Sequence, residues 1–255
     1  MLKGIDISHY QDTTVRYQDY DFIIMKASEG ANWKDPRMKQ HLIGVQCNCK
    51  LYGFYHYARP EYNADAKVEA RHFVETIRPY VGDCLLALDW EGNSLKYPIS
   101  WAHQWLDEVY RLTGVRPVIY VQESEITKRD YSSIAKDNYG LWVAKWSKNT
   151  PKTGAWKFYA LWQYQGSPLD KDYFQGSVEQ FKKYCKVDGK PTKQYYPTCP
   201  RNETSIIDYL KSINVDSSLD NRRKIASKNG IKKYVGNYEQ NVKLLALAKK
   251  GKLVK

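Results

Sequence analysis

Asp89 and Glu91 end an apolar run, Cys84-Leu85-Leu86-Ala87-Leu88, with a single residue between them. Side chains alternate along a β-strand, so Leu85, Ala87, Asp89 and Glu91 share one face while Leu86, Leu88 and Trp90 share the other. A rise of about 3.3 Å per residue sets the two carboxylates about 6.6 Å apart along that face. Two acids so placed can serve general acid–base chemistry. A run apolar on both faces belongs to a strand covered on both sides, as in a parallel sheet, and barrel enzymes keep their chemistry at the carboxyl ends of such strands. Asp-x-Glu also fits a solvated strand end. The pair takes its meaning from the rest of the chain.

The elements that must position these acids can be read in order. Lys3–Ser8 predicts a first strand with a buried acid, Asp6, before the polar turn His9-Tyr10-Gln11. Residues 19–28 (DYDFIIMKAS) predict a second strand. Asp35-Pro36 then starts a helix with Met38, Leu42 and Val45 inward. Residues 51–58 (LYGFYHYA) predict a third strand, and Asn63 caps a helix running to about Tyr80 with Val68, Phe73 and Ile77 inside. After the Asp89 strand, a helix from Ser100 buries Trp105, Leu106, Val109 and Leu112 and stops at Gly114. Residues 116–121, 139–146 and 158–164 predict further strands. Early strand–helix alternation means parallel βαβ units, and seven or eight strands suggest a barrel, partly antiparallel near its end where helices become scarce.

Residues 187–204, with prolines, a glycine and Tyr195-Tyr196, read as a linker between a barrel over 1–186 and a small all-α domain over 205–255. Three short helical patterns are expected there: Ile206, Ile207, Leu210 and Ile213; then Leu219, Ile225 and Ala226; then Val242, Leu245 and Ala246 behind an Asn237–Gln240 cap. The formal charge of +12 is uneven. Residues 187–255 hold 15 Lys and Arg against 6 Asp and Glu, and residues 1–186 hold 25 against 22. The basic surplus of the tail fits an anionic partner, a wall polymer among them, or a solvated helical surface. No nucleic-acid motif accompanies it, so nucleic acid is not the expected partner.

The 22 Tyr and 8 Trp exceed what a core of this size needs, and such rings serve sugar clefts by packing on pyranose faces. Five cysteines are too few and scattered for a disulfide framework. Cys185–Cys199 is the one loop with reason to bridge. Cys47-Asn48-Cys49 lacks a zinc spacing and His partners, so neither metal nor cofactor is expected. No signal peptide is visible at Met1-Leu2-Lys3, and no apolar run reaches membrane-spanning length, so stable membrane insertion is not expected.

Four separated segments agree on one family. They are Gly4-Ile5-Asp6-Ile7-Ser8-His9-Tyr10-Gln11, Met25-Lys26-Ala27-Ser28-Glu29-Gly30, Gly53-Phe54-Tyr55-His56-Tyr57-Ala58-Arg59 and Leu88-Asp89-Trp90-Glu91. With Ala160-Leu161-Trp162-Gln163-Tyr164 and Leu169-Asp170-Lys171-Asp172-Tyr173-Phe174, the first 180 residues resemble the family-25 glycoside hydrolases, the Chalaropsis-type lysozymes common among phage endolysins. The resemblance implies an irregular, flattened, TIM-like βα barrel and hydrolysis of the β-1,4 bond after N-acetylmuramic acid in peptidoglycan. It maps the family's acids to Asp6, Asp89, Glu91 and Asp170. Asp172 stands where the family usually has Asn, so either Asp170 or Asp172 could face the cleft, and the motif register favours Asp170.

Glu91 is expected to be the general acid, its pKa raised by burial and nearby carboxylates. Asp89 is expected to stay ionised and to polarise the sugar's 2-acetamido group, giving retention with substrate assistance, although the strand spacing leaves the stereochemistry open. Tyr57, Tyr120 and Trp162 are subsite candidates near strand ends, with core packing as the competing use. Gln163 and Glu29 of the matching segments join them. The tail resembles short helical modules of other wall hydrolases, and such an endolysin would be made in the host cytoplasm and released to the wall at lysis. A chitinase-like hexosaminidase and a non-catalytic wall-binding barrel are the rival readings.

Overall fold

The computed structural model describes residues 1–12, 14–48, 51–62, 65–188 and 195–255, which fall into two compact units, 1–191 and 192–255. In the first unit the apolar runs become β1 (Leu2–Ile7), β2 (Phe22–Glu29), the two-residue β3 (Trp33–Lys34), β4 (Leu51–Tyr57), β5 (Leu85–Asp89), β6 (Val118–Gln122), β7 (Gly140–Ala144), β8 (Leu161–Gln165) and β9 (Lys171–Phe174). Strands β1, β2, β4, β5, β6, β7 and β8 pair in parallel in that order. Strand β9 runs antiparallel to both β8 and β1 and closes the barrel, while β3 only extends the edge of β2. The antiparallel end agrees with the scarcity of late helices. Its strand, β9, lies within a stretch that the sequence offered only as a motif.

Alternation sorts each strand into two cores. Ile5, Ile23, Met25, Phe54, Leu86, Leu88, Ile119 and Leu141 face outward under the helices. These are α1 (Met38–Asn48), α2 (Ala66–Ile77), α3 (Ile99–Thr113) and the short α4 (Glu123–Lys128) and α5 (Ser132–Lys136). Phe22, Ile24, Leu51, Leu85, Ala87, Val118 and Leu161 fill the interior. Helix α6 (Val178–Cys185) plugs the amino end of the barrel: its Phe181 ring lies 5.3 Å from Phe22 and 5.1 Å from Phe174. Apolar rings fill the amino end of the barrel, and among the described residues its interior turns polar at the carboxyl end.

Local signals explain most helix limits. Gly114 stops α3 in the left-handed conformation, its N–H donating to Tyr110 O. Asn63 lies outside the described residues, and the cap of α2 is Asp65, whose side chain accepts from Lys67 N. The inner face of α2 also differs from the apolar stripe expected. Val68 is half-buried, whereas Glu69 is fully buried because it has a partner across the barrel wall, His56.

The second unit holds α7 (Ile206–Ser212), α8 (Leu219–Lys228) and α9 (Tyr238–Lys249), capped by Ser205, Ser218 and Asn237. Its core is Ile206, Tyr209, Leu210, Ile225, Ala226, Leu244, Leu245 and Ala248. In α9 the apolar stripe is therefore turned from the expected one, leaving Val242 and Ala246 exposed. The segment read as a linker is partly engaged: Asp188 N donates to Gly114 O, and Tyr196 N donates to Leu253 O. Residues 189–194 lie outside the described residues, as does Cys49. Cys185 and Cys199 are both free thiols, each buried in its own unit's core.

Candidate active site

At the carboxyl end of the parallel strands the interior turns polar. Asp6 of β1, Asp89 at the end of β5, Glu91 two residues on and Asp170 just before β9 all line one cleft of about 320 Å³. Strand parity puts Asp89 and Glu91 on the same inward face, as the sequence predicted, and neighbouring strands supply the other two acids. Asp170 lines the cleft whereas Asp172 is wholly buried inside the barrel, which decides between them.

Crowding sets the electrostatics. Burial, then the Asp170 charge, raises Glu91, while Lys26 acts the opposite way. Burial, then Glu91, pushes Asp89 well above the usual carboxylate range, and here too Lys26 opposes the shift. Asp6 is raised to about 7, first by burial and then by Asp170, and burial raises Asp170 to about 6. Adjacent carboxylates in a poorly solvated site oppose one another's ionisation, so the four acids hold their protons to higher pH than isolated carboxyls do. Burial and Glu91 work against the ionised form expected of Asp89, and Lys26 works for it. The Asp89 carboxyl is buried, with Oδ1 lacking a hydrogen-bond partner.

Gln163 organises the floor. Its Oε1 accepts from Tyr120 OH at 2.9 Å and from Trp146 Nε1 at 3.0 Å, and its Nε2 donates to Asp6 Oδ2 at 2.9 Å. Two donors on Oε1 fix which way the amide points, so its N–H₂ must face Asp6. Tyr57 and Tyr120 both line the cleft. Trp162 does not: it stands on the outer face of β8, packed near Tyr159, Tyr164 and Tyr173, with its indole donating to Lys145 O. One step of alternation gives the inward place to Gln163. Glu29 also lies outside the cleft lining, where it holds Lys26 Nζ at 2.5 Å and Arg59 Nε at 2.7 Å. It acts on the cleft by placing Lys26.

Sequence reasoning missed Lys26, Tyr55, Trp142 and Trp146. Lys26 is almost buried, and its Nζ lies 4.8 Å from the centroid of the Tyr57 ring. Its signal was parity, since Phe22, Ile24 and Lys26 alternate on one face of β2. Trp142 and Trp146 follow the same rule on and beyond β7. Trp146 is 67% exposed at the rim, which suits a ring offered to a sugar face. Gly166 makes room for it: a Cβ there would lie 2.1 Å from the indole.

A larger cavity, about 610 Å³, opens beside the amino ends of β6 and β7 and is lined by Arg116, Lys136, Lys157, Lys183 and Lys186. Its one carboxylate, Asp188, lies near Arg116. It lacks the paired acids that bond cleavage needs.

Known proteins share the family pattern and the fold. The sequence profile of glycosyl hydrolases family 25 matches residues 5–173. The uncharacterized protein YegX of Escherichia coli (strain K12) is 30% identical over 213 residues, 74% of each chain. The muramidase structure from Trichobolus zukalii superposes with a TM-score of 0.64 at 26% identity, covering 73% of this chain and 99% of that one. The catalytic domain of endolysin ply40, from bacteriophage P40 of Listeria monocytogenes, gives 0.57 at 28% identity over 72% of this chain and 98% of that one. An L-alanyl-D-glutamate peptidase of Listeria phage A118 is 45% identical over 51 residues, 20% of this chain and 18% of that protein.

Proposed function

The chain belongs to the family-25 glycosyl hydrolases, and from that premise we propose that it is a peptidoglycan N-acetylmuramidase acting as a phage endolysin. The observation that carries the activity is the convergence of Asp6, Asp89, Glu91 and Asp170 on one cleft at the carboxyl end of the barrel. Glu91 donates the proton to the glycosidic oxygen, a role its raised pKa suits. Asp89, on the same strand face, orients the 2-acetamido group, whose oxygen attacks the anomeric carbon. The cyclised sugar is then opened by water with net retention. The Asp89–Glu91 pair needs one proton, on Glu91, at that moment. The arriving acetamide N–H and the Lys26 charge both favour the ionised form of Asp89. Asp6 and Asp170 add negative potential around the oxocarbenium-like centre. Tyr57 and Trp146 offer ring faces to the glycan.

The endolysin role rests on the likeness to ply40 and on the short match to a phage peptidase whose name denotes a different reaction. Two enzymes that share only a small segment are most simply joined by an accessory module. Residues 205–255 serve as such a module here, behind a catalytic domain over 1–186 and a linker over 187–204 whose latter part packs on the module. The basic surplus of 187–255 gives it an affinity for anionic wall polymers. The protein would be made in the host cytoplasm and reach the wall at lysis.

Mass spectrometry of fragments from purified peptidoglycan tests the reaction. New reducing ends on N-acetylmuramic acid are expected, and ends on N-acetylglucosamine would reject the bond assignment. A thiazoline mimic of the cyclised sugar should inhibit, and a glycosyl ester trapped on any carboxylate would replace substrate assistance with direct attack. Removing residues 187–255 should slow clearance of whole cells while sparing soluble fragments. Equal clearance would remove the targeting role.

A further inference from the structure

Asp172 takes no part in the scheme above, yet it is an acid of the barrel interior with no exposure. It lies on β9, opposite Gly4 of β1 on one side and Gln163 of β8 on the other. Its side chain points inward with no exposure, whereas Asp6 above it keeps 8%. Trp142 Nε1 donates to Asp172 Oδ1 at 2.8 Å. The second oxygen, Oδ2, is buried and receives no hydrogen bond. Its neighbour is the Asp6 carboxyl.

Two facing carboxyls with no cation between them must share a proton. The surroundings decide where it sits. Gln163 Nε2 can only donate to Asp6, because both donors on Oε1 have fixed the amide. Asp6 also lines the cleft and meets water there, so its ionised form is the better solvated of the two. Of the two, Asp6 gives up its proton first, and the proton that stays belongs on the deeper Asp172, whose free Oδ2 then has an acceptor.

We propose that Asp172 is a positioning residue, a neutral acid beneath Asp6 that donates its O–H to that carboxylate and keeps a single negative charge at the cleft floor. Among the described residues, the titratable groups that act on it are Asp6 of β1, Asp170 just before β9, Tyr120 of β6 and, through the wall, Tyr164 on the outer face of β8, none of them a cation at neutral pH. Burial and Asp6 raise Asp172 well above the carboxylate range, while the Gln163 and Asp172 hydrogen bonds pull Asp6 down. An ionised Asp172 would instead put a second charge beside Asp6 and hold it protonated. The proposal rests on the reading of Asp6 as part of the catalytic cleft, but its first test does not require activity.

Carbon-13 NMR of aspartate-labelled enzyme, with Asp172 assigned by its loss in Asp172→Asn, should show a neutral carboxyl from about pH 5 to pH 8, where an ordinary aspartate is ionised. An ionised Asp172 at neutral pH overturns the proposal, whatever the enzyme's activity. In kinetics, Asp172→Asn supplies an N–H in place of the O–H and should keep kcat/KM within about twofold, with the acid limb of its pH profile in place. Asp172→Ala removes the donor. It should lose about tenfold in kcat/KM, the worth of a hydrogen bond to a charged group, and its acid limb should move to higher pH. If Asp172→Asn is as impaired as Asp172→Ala, the proton-donor role is wrong. If Asp172→Ala does not fold, the NMR titration and the Asn profile decide. Should Glu91→Gln keep full activity, the catalytic reading fails, and the NMR result on Asp172 still stands or falls by itself.

Discussion

Two groups of catalytic-type residues face opposite sides of the same barrel wall. On the inner side Asp6, Asp89, Glu91 and Asp170 open to a cleft. On the outer side Ser28 Oγ lies 2.9 Å from His56 Nδ1, and His56 Nε2 lies 2.9 Å from Glu69 Oε2. Read as a list, Ser–His–Glu is the constellation of a nucleophilic hydrolase. All three are fully buried, and the His56 ring stacks on Trp105 at 5.4 Å. Glu69 is also committed to Arg59 N at 3.1 Å. No substrate can reach that hydroxyl. His56 and Tyr57 are consecutive on β4, so one step of strand parity separates a structural strut from a cleft residue. Access decides which of two chemically plausible sets can turn over.

The largest effect that would break this contrast lies on the inner side. Glu91→Gln should lower kcat by about 10²–10⁴, the usual worth of a general acid, and leave the melting temperature near that of the parent. Near-normal turnover on soluble muropeptides would move the acid elsewhere. On the outer side the expectation inverts. Glu69→Ala strands a buried imidazole and the Arg59 amide, at a cost of about 3 kcal/mol in unfolding free energy, while kcat per folded molecule holds. A variant with unchanged denaturation midpoint but lost activity would make the outer triad the functional one.

A finer comparison is the sign of the pH dependence of stability. Asp6 and Asp170 are raised in the fold to about 7 and about 6 from the ordinary aspartate value of 3.8. Between those limits the native state binds more protons than the unfolded chain, so both acids make stability fall as pH rises. His56 is shifted the other way: burial lowers it, and the Glu69 hydrogen bond only partly offsets that. The unfolded chain then binds the extra proton, so His56 makes stability rise with pH up to its ordinary value near 6.5. Asp6→Asn should therefore flatten the decline and raise the melting temperature at pH 7 while damaging activity, the stability–function exchange expected of a crowded site. Urea titrations at several pH values would read both slopes. If Asp6→Asn is less stable than the parent at pH 7, the crowding argument is wrong.

How far the sequence revealed this site follows from the kind of signal each residue carries. Strand alternation and a broken apolar run were enough to put Asp89 and Glu91 on one face at a strand's end and to suggest a barrel, while the family resemblance singled out these two, Asp6 and Asp170 as the acids. The same rule, applied to β2 and β7, contains Lys26 and Trp146, although a lysine in an apolar run and a tryptophan after one look like strand ends rather than cleft residues. Trp162 and Gln163 are adjacent, so only the register of β8 tells which faces in, and that register is set by pairing with β7 and β9. Glu69 was invisible for another reason: an acid inside an apolar stripe is allowed only by a partner 13 residues away. The antiparallel β9 is four residues long, too short for periodicity to announce it.

The smallest expected effect tests the rim. Trp146 is held by one hydrogen bond to Gln163 and by the absence of a side chain at Gly166, where a Cβ would come within 2.1 Å of the ring. Gly166→Ala must swing the indole away, since the ring cannot share that space. If the ring packs on a sugar, the loss is binding of about 1 kcal/mol, the scale of one aromatic contact. Each 1.4 kcal/mol is tenfold in affinity, so KM for a glycan oligomer should rise by about fivefold. Since the ring touches no reacting bond, kcat should stay nearly constant. Trp146→Ala should give the same split, and Trp146→Tyr should recover part of it by restoring a ring face. A fall in kcat with KM unchanged would instead mean that the Trp146–Gln163 bond serves chiefly to aim Gln163 at Asp6, which would tie the rim to the acid cluster rather than to the glycan.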